Sequence, residues 1–92
     1  MSDYKRVYQN FLKYRGDDKA EIYLSATKNK KFAVRTPDGR VVNFGQKNYT
    51  DFTKHQDETR RQAYLARATK IKGDWRSDKY SPNNLAINIL WQ

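Results

Sequence analysis

Cysteine is absent from the 92 residues. Disulfide staples, thiolate metal sites and cysteine nucleophiles are therefore excluded. Histidine occurs once, as His55, and proline twice. A single histidine is far short of a metal-ligand set. The four glycines are scattered at expected turns, so no glycine-rich loop exists to cradle a phosphate. No nucleophile motif or cofactor fingerprint is present, and no cofactor and no metal are expected. No stretch approaches the roughly 20 apolar residues of a membrane span. The opening Met-Ser-Asp-Tyr-Lys-Arg lacks the apolar block of a secretory signal, so a cytoplasmic or nuclear location is expected and a membrane partner is not.

Acidic residues are also scarce. Nineteen Lys and Arg face ten Asp and Glu, a formal net charge of +9. The excess is not a tail: the first 49 residues hold 11 basic and 5 acidic side chains, the last 43 hold 8 and 5. It therefore rides on folded structure, as a surface patch for a polyanion would. Aromatic residues make up 14% of the chain, enough large apolar bodies for one small core. One domain, residues 1–92, is expected.

The pattern predicts an α+β fold: a small three-stranded antiparallel meander packed with two or three helices. Residues 1–19 read as an N-terminal helix, with Tyr4, Val7, Tyr8, Phe11 and Leu12 sharing its core face and Gly16 as its stop. Residues 20–45 read as the meander. Ile22, Leu24 and Ala26 alternate with Glu21, Tyr23 and Ser25. Pro37-Asp38-Gly39 then joins two β-prone runs as a hairpin turn. Residues 50–72 form a basic helical region, with a turn near 49–55 and a helix capped by Asp57 that runs to about Lys70–Lys72. Residues 81–92 read as an apolar C-terminal helix, capped by Ser81 with Pro82 in its first position. Its end is too apolar to be free, so it docks on the core or on a partner.

Two basic groups are candidates for phosphate contact. On the helix, Arg60, Tyr64 and Arg67 lie near one line, Arg61 neighbours them, and Lys70 and Lys72 extend the charge. Guanidinium groups on a rigid helix suit bidentate phosphate binding, although cations near a helix C-terminus also favour the helix itself. On the hairpin, Lys30, Lys31, Arg35 and Arg40 could track a backbone or merely guard an exposed edge. No helix-turn-helix, zinc-finger or RNA-recognition signature is present, so backbone contacts are expected rather than base readout. Tyr23 and Tyr80 are more at home in a core than as stacking platforms. Asp51, His55 and Asp57 would be the residues of a small nuclease, but the run reads better as hydrogen bonds tying a loop to a helix start.

Phe44-Gly45, Tyr49, Asp51, Phe52-Thr53, His55, Asp57, Arg60, Tyr64-Leu65 and Arg67 occur in an order that is itself informative. Trp75, Ser81-Pro82-Asn83-Asn84-Leu85 and Leu90-Trp91 continue it. This pattern, over roughly the last two thirds of the chain, resembles a family of small uncharacterised basic proteins. That family is encoded by large double-stranded DNA viruses, including marseillevirus-like and mimivirus-like giant viruses. Where the family often has His after the second helical Arg, this chain has Ala68. The resemblance implies a viral origin and a place in the virion, the host cytoplasm or the nucleus. It favours DNA as partner, since a large genome must be condensed and packaged.

The expectation is thus a non-enzymatic, largely sequence-independent DNA-binding protein. Its contacts would be Arg60, Arg61, Arg67, Lys70 and Lys72, aided by Lys30, Lys31, Arg35 and Arg40. The alternative is a protein-interaction or minor virion module. It would form a homodimer or take a host-protein partner through Ile87, Leu90 and Trp91.

Overall fold

Asp3 begins the first helix. Its carboxylate accepts the backbone N–H groups of Lys5 (3.1 Å) and Arg6 (3.3 Å), offsetting the unpaired donors of the first turn. A computed structural model describes residues 2–92. Its elements are α1 (Tyr4–Arg15), β1 (Glu21–Leu24), β2 (Lys30–Arg35), β3 (Val41–Gln46), α2 (Phe52–His55) and α3 (Glu58–Ala68). A 3₁₀ turn (Trp75–Ser77), α4 (Pro82–Leu85) and a π-helical segment (Ala86–Leu90) follow. The three strands form one antiparallel sheet in the order β1-β2-β3, so the α+β meander is as expected. Among the described residues no helix is long and apolar enough to cross a membrane.

The register explains the core. Ile22 faces Val34, Leu24 faces Phe32, Phe32 faces Phe44 and Val34 faces Val42. These side chains share one face of the sheet. Against that face pack Val7 and Phe11 of α1, Tyr80, and Leu85, Ala86, Ile89 and Leu90 of the C-terminal segment. The hairpin turn is built as its residues predict. The Thr36 N–H donates to the Arg40 carbonyl (2.8 Å) and the Gly39 N–H to the Thr36 carbonyl (3.0 Å).

Three expectations are corrected. Tyr4, Tyr8 and Leu12 are exposed, and only Val7 and Phe11 of the expected apolar face are buried. The inward face of α1 is shifted because it also carries Asn10, which donates to the Ile89 carbonyl (2.8 Å), and Tyr14, which donates to the Lys79 carbonyl (2.6 Å). The first strand stops at Leu24, itself 60% exposed on the sheet edge, and Ala26 lies outside it. Helix α3 ends at Ala68, so Lys70 and Lys72 are not helical. There Asn83 donates to the Ala68 carbonyl (3.0 Å) and the Thr69 hydroxyl to the Leu65 carbonyl (2.7 Å), a stop partly supplied from outside the helix.

The C-terminal helix starts on Ser81, which accepts the Asn84 N–H (3.3 Å). It then widens. The Trp91 N–H reaches five residues back to the Ala86 carbonyl (3.2 Å), the π spacing. This turn presents Leu85, Ala86, Ile89 and Leu90 to the core together. Leu90 reaches β3 at Gly45. A Cβ there would lie 2.9 Å from Leu90 Cδ1, and φ is +82°, so both space and backbone require glycine. The apolar end is therefore docked on its own core: Leu90 is buried and Ile87 is half-buried.

Candidate nucleic-acid interface

Helix α3 reads ETRRQAYLARA and has little apolar surface to press on the sheet. Only Ala68 is buried along it, with Tyr64 packed partly against the core. It therefore stands off, and an open cleft of about 950 Å³ separates it from the open end of the β2–β3 hairpin. One wall carries Arg60, Tyr64 and Arg67 of α3, the other carries Lys30, Lys31, Gln46 and Asn48, and Leu90 and Trp91 also line it.

The start of α3 is fixed by the run between Asp51 and Asp57. Asp57 accepts the Arg60 N–H (3.2 Å), and its own N–H donates to His55 Nδ1 (2.9 Å). The His55 ring lies edge-on to Phe52 and 5.3 Å from Trp91. His55 and Asp57 thus join α2 to α3. Among the described residues no three His, Asp or Glu side chains gather as metal ligands would.

Trp91 in turn stacks on Tyr64, with ring centroids 4.2 Å apart and planes 6° from parallel. Arg61 holds this arrangement from behind. Its Nε donates to the Trp91 carbonyl (2.8 Å), Nη1 pairs with Glu58 (3.0 Å), and the guanidinium lies over Phe52. Hydrogen bonds from Gln62 and then Arg61 hold the Glu58 carboxyl below its ordinary range. Arg61 is thus engaged within the fold rather than turned to the cleft.

Lys31 lies in the cleft lining but is engaged as well. Its ammonium pairs with Asp51 at 2.9 Å, with the two side chains only 8% and 3% exposed, and also donates to the Tyr49 carbonyl. Asp51 accepts further from the Ser2 hydroxyl and from the Thr53 N–H (3.1 Å) and hydroxyl. Asp51 is the one acid in the lining, and this pair neutralises it. Lys30, Arg60 and Arg67 differ: their charged groups make no ion pair with any described residue.

The remaining candidates lie elsewhere. Lys70 and Lys72 are exposed just beyond α3, on either side of Ile71, which lines the cleft. Arg35 ends β2, opposite Glu21 and Val41, away from the strand's cleft end at Lys30. Arg40, in the hairpin turn, makes paired contacts with Asp78 (2.9 and 3.3 Å) and Asp38 (3.1 and 3.2 Å). Asp18 accepts from the Tyr80 hydroxyl (2.6 Å) and pairs with Lys79 (2.9 Å). These contacts hold Asp78, Asp38 and Asp18 below the usual carboxylate range. The leading causes are Arg40, the Thr36 hydroxyl and the Tyr80 hydroxyl in turn. Burial, then Asp18, raises the Tyr80 phenol. Of the nine basic residues expected to contact phosphate, only Lys30, Lys31, Arg60 and Arg67 line this cleft, and the cleft itself was not foreseen. The sequence reading also missed the Tyr64–Trp91 stack, whose only local sign was a tyrosine set between two helical arginines.

No curated protein and no solved structure matches the chain. Residues 20–68, which span the meander, α2 and α3, match a family of unknown function, DUF5754. The matched segment carries Lys30, Arg60, Tyr64 and Arg67, and covers more than half of the sequence, so the chain belongs to the DUF5754 family.

Proposed function

We propose that this protein binds nucleic acid, with DNA as its partner, largely without regard to sequence and without catalysis. Its setting is the particle or the infected cell of a giant DNA virus. The observation that carries the binding is the cleft. Lys30, Arg60 and Arg67 stand on its two walls with no acid to pair them, and its one carboxylate is neutralised by Lys31. Phosphates would release counterions as they meet these cations. Lys70 and Lys72 extend the charge beyond the helix end. Lys31, Arg40 and Arg61 are held by partners within the fold, and Arg35 lies away from the cleft. The viral setting rests on the resemblance of the 44–91 pattern.

The experiment is a titration of double-stranded DNA at two salt concentrations, with Arg60→Glu and Arg67→Glu combined. The expected result is weaker binding and a logarithmic salt dependence shallower by about 2, roughly 0.9 for each lost phosphate contact. An unchanged affinity and slope would remove the site. A protein-interaction role is the second reading, supported by the exposed Tyr4, Tyr8 and Leu12 on α1. A dimer that persists at high salt in a protein with no affinity for DNA would favour it.

A further inference from the structure

The cleft offers more than charge. Tyr64, on the α3 wall with Arg60 and Arg67, forms a flat, parallel pair with Trp91, which also lines the cleft. His55 and the Arg61 bond to the Trp91 carbonyl hold that pair in place. Tyr49, 66% exposed, is part of the same lining. Gln46 and Asn48 add two amides whose side chains make no hydrogen bond with the described residues. A duplex hides the faces of its bases in its own stack and presents phosphates on a convex surface. It could meet the cations with its phosphates but could not lay a base face on the rings of the lining. A single strand exposes base faces, bends freely, and gains from stacking on aromatic rings irrespective of sequence.

We infer that the cleft takes single-stranded nucleic acid, with a base laid against the Tyr64–Trp91 pair and the flanking phosphates on Lys30, Arg60 and Arg67. This rests on the reading of the cleft as a nucleic-acid site and narrows it. The amides of Gln46 and Asn48 meet the base edges, and the paired Asp51 adds no repulsion.

The test compares an oligothymidylate with a duplex of equal length at one salt concentration, by anisotropy on the unaltered chain. Tryptophan emission is then read in Trp75→Phe, which leaves Trp91 as the reporter; Trp75 lies outside the cleft, its indole N–H on the Ile71 carbonyl. The single strand is expected to bind about tenfold more tightly or better, and to quench Trp91. Tyr64→Leu is expected to lower single-strand affinity by about tenfold. Equal or tighter duplex binding with unchanged Trp91 emission overturns the inference and leaves the phosphate-binding reading standing. A single-strand preference that moves neither Trp91 emission nor the Tyr64→Leu affinity places the bases elsewhere and overturns it too. Binding of neither DNA overturns both. The strand preference is measured without any variant, so it stands even where a substitution impairs folding.

Discussion

Lys31 and Asp51 meet in the interior rather than at the surface, and each makes the other tolerable there. A buried charge without its partner is costly. Asp51→Ala is therefore expected to cost about 3–5 kcal/mol of unfolding free energy, read by urea denaturation. That is a large share of the roughly 5–15 kcal/mol that holds a domain folded. Replacing both residues with apolar ones of similar size should recover most of the loss. Lys30 and Lys31 are neighbours of identical type, yet one is a free cation and the other an internal strut. Alternation along a strand says that they point to opposite faces. Which face is covered depends on Asp51, twenty residues further on, and nothing near Lys31 in sequence announces it.

Elements whose ends are set by their own residues were legible. The Pro37-Asp38-Gly39 turn, the Asp57 cap of α3 and the Ser81-Pro82 start of α4 all form as their local chemistry dictates. Elements whose limits are set from outside were not. Helix α3 stops where Asn83 and Thr69 take its last carbonyls, and the face of α1 follows the donors required by the C-terminal segment. The π widening depends on four apolar side chains reaching the core at once, a demand that helical periodicity cannot express. The contact of β3 with this segment gives a direct test. Gly45→Ala is expected to destabilise by about 1–3 kcal/mol, seen as a lower melting temperature. It would place a side chain in the left-handed region and press it onto Leu90.

Across the molecule, charge differs between the two ends of the β2–β3 hairpin. Asp38 and Asp78 are gathered on Arg40 at the turn end of the β2–β3 hairpin, while the unpaired Lys30 borders the cleft at the other end. A net charge of +9 read from composition could not show this, because it does not say which acids are already paired. The lowered carboxyls have a consequence with a definite sign. Asp18, Asp38 and Asp78 bind protons less readily in the fold than in the open chain. Their contribution is therefore complete above the ordinary carboxylate range and is lost as pH falls below about 4. Melting temperature should be flat from neutral pH downward and then drop, and Arg40→Gln should make that drop shallower. Finally, Asn10 bonds to Ile89 across 79 positions, and Val7 and Phe11 share one cluster with Ile89 and Leu90. Neither segment has an apolar wall of its own to settle on. The interior cannot assemble in instalments: it waits for a loop of 79 positions to close. Loosening residues 85–90 would unmask α1 and the sheet in the same event, so opening is expected to be all-or-none.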